Sequence, residues 1–540
     1  MFNWKEFENT KQVLSHMGGT SYCDIWGIHN INVRPIYLLD WIKFLKEDMG
    51  YLTLVDIAGL DHGPGLEIVY HLLNMGTHQR INLHLFVQED EVIPSITDFY
   101  PHAEWPEREQ AEMLNLKFNQ QKASLILPDH QKNYPLRRNS IIEDWEQNPN
   151  RELPRLRFNP NKSEAPYPEE GYKWKKYDLS SNETLGNFEW MLCFDPSRVV
   201  KSQVEIGFHH QGLEKLLEKK DIFQINHLAD KVNLSAAPHF STAWCKAIED
   251  MYRIKIPERA QALRIVFLEL GRIADHLTVL HSICYHGKFH EHRLLLDLRE
   301  KVYELFEKYS GYRHGLGVVK IGGMSQELPP GWIVEYQDVS DKITKKLHLI
   351  HNSLVSRSHF RKLLTGASVN AQLVMQGGIS GPAMRAAGLN FDLRKSRPFY
   401  FYQDIDFDIP VGINGTAFDR YLIRYEEILQ SLRIITQVID NLPLGNVVAD
   451  NFDHNSITQT EYFRQLDPPV NWHYSALEMP GGEGGFLVQI GPELKPSRIK
   501  IKTPSFVMAQ AMSIFVNGLQ EEQLEVCLAS LGLSRWEIDR

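Results

Sequence analysis

The sequence is poor in cysteine and has no local thiolate motif. Its 540 residues include only five cysteines, and no two of them are spaced as C-x-x-C. A sequence-local set of thiolates for zinc or an iron–sulfur cluster is therefore absent. The wide spacing is typical of reduced thiols in a cytosolic chain rather than of a disulfide framework. We predict that each cysteine is a small core residue.

Long apolar runs and an excess of positive charge are also missing. The best apolar stretch, IVFLEL at Ile265–Leu270, is far shorter than the roughly 20 residues of a membrane span and contains Glu269. The first residues carry frequent charges and lack the apolar core of a signal peptide. A net charge of −10 argues against a nucleic-acid binder. We expect a protein that is soluble or peripheral on a membrane.

Glycine-rich stretches are present, but none has the spacing of a phosphate-binding loop. KIGG, QGGISGPAMRAAG and MPGGEGG match neither G-x-G-x-x-G between a strand and a helix nor a P-loop. A nucleotide site is therefore not expected. His209 and His210 are adjacent in FHHQGLEKLLEKKD, so their side chains point in different directions. This favours a structural role over joint ligation of one ion.

What is present indicates a globular α+β protein of more than one domain. Hydrophobic residues make up 43% and charged residues 23% of the chain, an ordinary balance. YLTLVDIAGL and INLHLFVQ alternate like strands, and IYLLDWIKFLKEDMG has a helical pattern. A stretch rich in proline, asparagine and charge follows, so we predict an N-terminal domain at 1–140, a linker at 141–170 and a second domain at 171–540.

The second domain is predicted to be mainly helical, with strands near both of its ends. Helices are expected at Leu294–Tyr309, Asp338–Leu364 and Asp419–Leu442. A longer helix starts near Pro257 in PERAQALRIVFLELGRIADHLTVLHSIC, and apolar residues surround it on almost all sides. Such a helix should be deeply buried.

Three polar residues in that long helix share one face. Glu269, Arg272 and His276 are spaced i, i+3 and i+7. If the helix is buried, these side chains must satisfy one another or line a polar cavity. Two interpretations stay open: a structural ion-pair network, or a stripe that conducts protons or lines a ligand.

A segment of the first domain carries a recognisable pattern. IPSITDFYPHAEWPEREQAEMLNLKF, at Ile93–Phe118, resembles the signature of the C-type (30 kDa-type) subunit of NADH-quinone oxidoreductase, respiratory complex I. The pattern E-R-E-x-x-E falls on Glu107, Arg108, Glu109 and Glu112. LPDHQKNYPLRRN is similar to the later part of the same subunit.

The rest of the chain resembles the D-type (49 kDa-type) subunit, the large hydrophilic subunit of complex I. That subunit shares ancestry with the catalytic subunit of membrane-bound [NiFe] hydrogenases. The matching pieces include HQGLEKL, IPERAQALRIVFLELGRIADHL, KIGGMSQELPPGW and the terminal EIDR. The resemblance covers nearly the whole chain. It implies an α+β domain of the C type followed by a larger, mainly helical domain of the D type with peripheral β-strands.

The hydrogenase relatives hold nickel with two C-x-x-C pairs, and this chain has none of those cysteines. The resemblance places the four ligand positions on Asn233, Ala236, Ser534 and Glu537. A Ni–Fe centre needs soft thiolate ligands. We therefore expect that the chain binds no metal and performs no hydrogenase chemistry.

In complex I, the resemblance implies a quinone site made by a His-containing hairpin, a Tyr and an Asp. The hairpin reads LSSNETLGNFEW here and has no histidine, the Tyr position falls on Trp244, and the Asp position falls near His286. The candidate residues for a cavity or proton relay are His239, Trp244, Glu269, Arg272, His276 and His286. The cavity is expected to persist even if its quinone chemistry does not.

The function implied by the resemblance is that of a fused C/D-type subunit in a membrane-bound, ion-translocating oxidoreductase complex related to complex I and to energy-converting hydrogenases, with the NiFe site lost. The subunit is expected to be inactive alone. It would lie peripherally on the cytoplasmic side of the cell membrane. No cofactor is expected to be held by the chain itself, and a quinone is the one ligand that the resemblance leaves open. Its expected partners are an iron–sulfur protein of the B type and membrane subunits of the H and antiporter types, not nucleic acid. The alternatives are a divergent NADH-quinone oxidoreductase subunit that binds quinone, and a structural coupling module without a redox substrate.

Overall fold

The structure is a computed structural model that describes residues 19–120, 123–127, 134–138, 140, 173–178, 189–450, 452, 461–463, 465–466 and 472–540. They form two compact units: the N-terminal unit contains the described residues up to 140 together with Met375–Gly378, and the C-terminal unit contains the others. The predicted linker at 141–170 and all but the last two residues of LSSNETLGNFEW lie outside the described residues.

The N-terminal unit is built on a five-stranded sheet. Its strands are β1 (Thr20–Cys23), β2 (His29–Val33), β3 (Thr53–Asp61), β4 (Leu66–Asn74) and β5 (Gln79–Val87). The spatial order is β1-β2-β5-β4-β3, and every pair is antiparallel except β2 with β5. The other elements are α1 (Leu38–Glu47), α2 (Glu104–Leu114) and the short parallel pair β6 (Val92–Ile93) and β7 (Lys117–Phe118).

Strands β3 and β5 and helix α1 lie where the sequence pattern predicts them, but β4 was not predicted. Its sequence LEIVYHLLN is buried at every position except the last. A strand buried on both faces lacks the alternation that marks a half-exposed strand. In the sheet, β4 lies between β5 and β3 and is therefore an interior strand.

Helix α2 lies against β3 through a close approach at Gly59. The backbone N–H of Gly59 donates to Gln110 Oε1 at 2.9 Å. A Cβ added at Gly59 would lie 2.4 Å from Leu114 Cδ1. Only glycine leaves room for this helix against this strand.

Residues of the E-R-E-x-x-E signature of α2 form hydrogen bonds with neighbouring loops. The Glu107 carboxylate accepts hydrogen bonds from Ser95 Oγ at 2.7 Å and from the Ile96 N–H at 2.9 Å. Glu112 accepts the backbone N–H groups of 125–127 at distances from 2.8 to 3.4 Å. Arg108 donates to the carbonyls of 123 and 124, each at 3.0 Å. The signature residues therefore order the backbone around α2.

The C-terminal unit combines many helices with small sheets. Strands β8 (Lys173–Asp178), β9 (Glu189–Asp195) and β10 (Arg198–Glu205) form one antiparallel sheet in the order β10-β9-β8. Strands β11 (Val319–Lys320) and β12 (Gly323–Met324) pair with each other. The last sheet is antiparallel, with the order β13 (Trp472–Met479), β14 (Gly482–Ile490), β15 (Pro496–Lys502).

The helices of this unit fall into two runs. The first run is α3 (Leu213–Glu218), α4 (Ile222–Ala229), α5 (Ala237–Tyr252), α6 (Glu258–His286), α7 (His292–Ser310), α8 (Trp332–Ser356), α9 (Ser358–Leu364) and α10 (Ala371–Gln376). The last two residues of α10 are counted with the N-terminal unit. The second run is α11 (Gly381–Ala386), α12 (Leu393–Ser396), α13 (Ala417–Asp440), α14 (Pro504–Gln510), α15 (Met512–Val516), α16 (Glu521–Leu531) and α17 (Arg535–Ile538). The two units together confirm the α+β prediction.

Helix α6 is the buried centre of the C-terminal unit. It has 29 residues, and its neighbours include α7, α13 and α16. Nearly every residue from Ala260 to Cys284 is buried, as the all-round apolar pattern predicted. Across the described ranges, no helix is both long and apolar enough to cross a bilayer.

Two sequence predictions are corrected. The helix expected at Asp338–Leu364 is broken at Arg357, whose backbone is extended and whose guanidinium binds Glu291 and Ser353. The prediction that every cysteine is a core residue fails at Cys23. This residue ends the edge strand β1, all of whose residues are exposed.

Candidate functional site: a buried ion network

The three polar residues predicted on one face of α6 are fully buried and meet charged side chains from other elements. We call the set the ion network. Its members are Glu269, Arg272, His276, Arg385, Asp392, Arg394, Arg424, Glu427 and Glu478. They come from α6, α11, α12 with the residue before it, α13 and β13.

Glu269 lies at the point where four donors converge. It pairs with Arg272 Nε at 3.2 Å and with Arg394 Nη1 at 3.1 Å. The hydroxyls of Tyr402 and Ser431 each donate to it at 2.6 Å. Burial alone would raise the pKa of Glu269, but the two cations and these hydroxyls bring it below its usual value. These four donors therefore hold the carboxylate in its ionised form.

His276 has a tautomer that its neighbours determine. Arg424 Nη1 lies 3.0 Å from Nδ1, and a guanidinium can only donate, so Nδ1 accepts. Nε2 lies 2.7 Å from Glu427 Oε2 and therefore donates its N–H to that carboxylate. His276 thus joins α6 to α13 as a neutral Nε2–H tautomer.

Arg385 bridges two carboxylates of the network. Its Nε donates to Glu427 at 2.7 Å, and its Nη1 donates to Glu478 at 2.8 Å. Burial opposes ionisation of Glu427, but Arg385 first and His276 second hold its pKa well below the usual range. Asp392 is bound by Arg394 Nη2 at 2.7 Å, and its pKa is lowered to about 2 against the effect of burial.

Glu478 differs from the other carboxylates of the network. Burial, and secondly the nearby Asp392 carboxylate, raise the pKa of Glu478 despite the contact with Arg385. Its second oxygen accepts the backbone N–H of Leu393 at 3.1 Å, a neutral donor. Glu478 is therefore the carboxylate of the network that takes up a proton most readily.

The charges of the ion network balance when all its carboxylates are ionised. Four arginines face four carboxylates, and His276 is neutral. Removing one partner of such a set leaves a buried charge uncompensated. The network can thus serve as a structural unit and also respond to any proton added to it.

His239 lies beside the network as a neutral base. Its ring packs against α6 at Gly271, where an added Cβ would lie 3.2 Å from Cε1. Neither ring nitrogen has a hydrogen-bond partner within the described part of the chain. Burial, followed by the charges of Arg272 and Arg394, puts the pKa of His239 well below its usual value.

Two of the predicted site residues lie elsewhere. Trp244 is in the hydrophobic core, with Nε1 donating to the Ile222 carbonyl at 3.0 Å and its ring 5.6 Å from that of Phe486. His286 ends α6, about 15 Å along the axis from His276, and contacts Glu525 at 3.4 Å. The structure therefore brings together His239, Glu269, Arg272 and His276 only.

The four positions matched to nickel ligands form a second cluster. Asn233 Nδ2 donates to Glu537 Oε1 at 2.6 Å, and the Ala236 N–H bonds the Asn233 carbonyl. Ser505 donates to the other Glu537 oxygen and accepts the Ser534 N–H at 3.1 Å. The two chain segments named by the resemblance are thus adjacent.

This second cluster does not fit a Ni–Fe centre. Its side chains offer amide, hydroxyl and carboxyl groups, whereas nickel and iron in such a centre require thiolates. Burial raises the pKa of Glu537, and the charge of Asp275 acts in the same direction. Asp275 also lies 3.6 Å from Arg424 of the ion network. Among the described residues, no group of three His, Cys, Asp or Glu side chains is arranged to hold a metal ion.

Most of the ion network was missed by sequence reasoning. The missed residues are Arg385, Asp392, Arg394, Arg424, Glu427 and Glu478. One local signal was available: Arg420, Arg424 and Glu427 share a face of α13 among apolar residues. Charges on the apolar face of a helix indicate buried partners.

Comparisons with known proteins match both units. The family described as respiratory-chain NADH dehydrogenase, 30 Kd subunit, matches residues 31–146, and the 49 Kd subunit matches residues 287–540. The C/D subunit of NADH-quinone oxidoreductase from Bdellovibrio bacteriovorus is 33% identical over 92% of this chain and 93% of its own length. The proteins of the same name from Psychrobacter sp. and Photorhabdus laumondii are each 28% identical over 95% of this chain, and over 93% and 92% of their own lengths.

Proposed function

Because the chain belongs to the family of fused C/D subunits of NADH-quinone oxidoreductase, we propose that its ion network is a proton-responsive element of that oxidoreductase complex. The chain is one component of a multi-subunit enzyme and is not expected to act alone. The observation that carries the proposal is the meeting of Glu269, Arg272 and His276 with Glu427 and Glu478 in one fully buried set.

The physical argument starts from burial. Inside a protein the effective dielectric is low, so a charge that appears nearby acts strongly on the proton occupancy of a carboxyl group. Within and beside the ion network, burial raises the pKa values of Glu478 and Glu537, and it lowers the pKa of the neutral base His239. Glu478 and Glu537 are therefore the candidates for proton uptake when the complex changes its redox state, whereas His239 would hold a transferred proton only briefly, because burial and the charges of Arg272 and Arg394 oppose its protonation.

The cluster of Asn233 and Glu537 is proposed as the polar wall on which a quinone headgroup would rest. Amide and carboxyl groups suit hydrogen bonding to carbonyl oxygens, and Asp275 joins this cluster to the ion network. Trp244 and His286 are not part of the proposed wall, since one is in the core and the other contacts Glu525. A quinone is proposed as the occupant because the relatives are named NADH-quinone oxidoreductase subunits.

The proposed partners are an iron–sulfur protein of the B type on one side and membrane subunits of the H and antiporter types on the other. They rest on the resemblance of the sequence, as does ion translocation by the complex. Attachment to the cytoplasmic side of the membrane would then come from these partners. High-salt or carbonate washing should release the chain, alone or with its iron–sulfur partner.

Glu269→Gln in the assembled complex tests the proposal. Gln keeps the size and the acceptor oxygen but removes the charge between Arg272 and Arg394. Because Arg272 and Arg394 lose a buried partner, we expect a lower thermal midpoint, but the complex should still assemble and its NADH-quinone turnover per assembled complex should fall. Glu258→Gln, at the exposed start of the same helix, is the matched control and should change neither. Assembly, thermal midpoint and turnover are measured for both variants.

A structural coupling module without a redox substrate is the second candidate, favoured by the balanced charges of the ion network. It predicts that Glu269→Gln lowers the thermal midpoint or the yield of complex, with turnover per assembled complex unchanged. Normal assembly with normal turnover would contradict both functions.

A further inference from the structure

A chain of hydrogen bonds crosses the sheet of the N-terminal unit, apart from the proposed site. We call it the polar ladder. In order, its members are His62, Glu67, His84, Asn30, Asn82 and His71. It joins β2, β4 and β5 with the turn after β3, and all members but His62 are buried.

The orientation of the Asn30 amide is fixed by the backbone. Its Nδ2 donates to the Ile28 carbonyl at 3.0 Å, and that carbonyl can only accept. Asn30 Oδ1 therefore faces the ladder, where it accepts Asn82 Nδ2 at 2.9 Å. The same oxygen lies 2.9 Å from His84 Nε2. Since the oxygen has no proton, His84 Nε2 must donate.

The other ring nitrogen of His84 faces a carboxylate. Nδ1 lies 2.6 Å from Glu67 Oε1, and His62 Nε2 lies 2.7 Å from the second oxygen. Burial opposes ionisation of Glu67, yet the hydrogen bonds from His62 and His84 lower its pKa to about 2. An ionised carboxylate only accepts, so His84 Nδ1 donates as well.

We propose that His84 carries protons on both ring nitrogens in the folded protein, so that β4 and β5 are joined by a buried imidazolium–carboxylate pair with Glu67. A neutral imidazole has one donor and one acceptor and cannot make both bonds. The N-terminal unit therefore binds one proton on folding whenever the unfolded histidine is neutral. This inference does not depend on the proposed function.

The other titratable groups around His84 do not replace this pair. From β1, the Tyr22 ring lies 6.3 Å from that of His84, and the Tyr22 pKa is raised by burial and then by Glu67, so it stays neutral. His62 shares the Glu67 carboxylate. His71 reaches the ladder through Asn82 Oδ1 and pairs in register with Asp56 of β3. Among the described residues named here, Glu67 therefore supplies a negative charge in direct contact with the His84 ring.

The sign of the pH effect can be derived from the two partners. An unfolded histidine loses its proton near pH ~6.5, and above that pH the native unit holds one proton more than the unfolded chain. Stability then falls as pH rises. Glu67 acts in the opposite direction, because its stabilisation is lost as pH falls from about 4.3 towards about 2. The unit should be most stable in mildly acidic solution.

Hydrogen exchange of the full chain tests the proposal. Protection of Leu66–Val87 is followed by mass spectrometry from pH 7.5 to pH 9, above the pKa of about 7 of Glu112, and corrected for the intrinsic exchange rate. The opening constant of this segment should rise with pH, by at most about tenfold per unit, the limit for one released proton. Peptides of α6 provide the internal reference.

Two variants and a control sharpen the result. His84→Gln has no titratable ring and should remove the pH dependence, whereas Glu67→Gln should open the segment at every pH because the cation loses its partner. His78→Asn, on the exposed turn between the same strands, should behave like the parent chain. Equal pH dependence in the parent and His84→Gln would overturn the proposal.

A spectroscopic measurement does not depend on the folding of the variants. In the full chain labelled with ring-15N histidine, one buried histidine should show two protonated nitrogens at pH 7.5. Glu67→Gln or His84→Gln identifies it by loss or shift of that signal. Finding only singly protonated rings among the buried histidines would contradict the inference.

Discussion

Two pairs of carboxylates, one pair in each unit, are satisfied by different kinds of donor. In the N-terminal unit, Glu107 and Glu112 accept backbone N–H groups of nearby loops. In the C-terminal unit, Glu427 and Glu478 share the guanidinium of Arg385. Backbone donors hold a loop and leave no buried cation behind when the carboxylate is replaced. A guanidinium partner leaves an uncompensated charge, so the second arrangement tolerates little change.

Removing the bridging cation should give the largest effect. Arg385→Leu leaves Glu427 and Glu478 without their shared partner, and we expect a loss of about 3–5 kcal/mol in unfolding free energy. Arg433→Leu is the control, because its pairs with Asp406 and Asp408 are exposed and should contribute under about 1 kcal/mol. Denaturant unfolding compares the two, and equal losses would contradict the account.

Overpacking beneath α2 should have the next largest effect. Gly59→Ala places a methyl group 2.4 Å from Leu114 Cδ1 and 2.9 Å from Gln110 Oε1, so we expect a loss of about 1–3 kcal/mol. The control is Gly63→Ala. Nothing lies within 4 Å of a Cβ added at Gly63, but its φ is +92°, so this variant measures backbone strain without overpacking. If Gly59→Ala were no worse than this control, the close approach of α2 would be refuted.

Glu112 should give a pH-dependent effect. Burial raises its pKa to about 7, so the native unit binds more protons than the unfolded chain between pH ~4.5 and ~7. Stability therefore falls as pH rises through that window, by up to about 1.4 kcal/mol per unit. Glu112→Gln should remove this slope while it keeps one acceptor for the N–H groups of 125–127. Thermal midpoints of the parent chain and of Glu112→Gln are measured across this pH window. An equal slope of midpoint against pH in the two chains would contradict the role assigned to Glu112.

The smallest change in stability is expected at His239. Its ring nitrogens have no hydrogen-bond partner in the described ranges, so His239→Phe exchanges an unsatisfied polar ring for an apolar one and should alter stability by less than about 1 kcal/mol. If His239 accepts protons from the ion network, turnover of the assembled complex should fall nonetheless. Unchanged turnover would remove His239 from the proposed relay.

Sequence reasoning found the α6 part of the ion network because Glu269, Arg272 and His276 are close along one helix. It missed the other part because those contacts are long-range: Arg385 and Glu478 are 93 residues apart. Trp244 lies away from the ion network for a local reason, since it is five residues from His239 on α5 and therefore about 140° around the helix. A resemblance transfers positions along the chain, but the direction of a side chain depends on the helix face.

The claim that the ion network responds to protons is tested most directly by Glu478→Gln in the assembled complex. Glu478 is the network carboxyl with the raised pKa, so Gln imitates its protonated form and should preserve assembly. The account predicts that NADH-quinone turnover, measured from pH 5.5 to pH 9, loses one limb of its pH dependence while the thermal midpoint stays near that of the parent complex. A pH profile identical to that of the parent complex, at equal assembly, would contradict it.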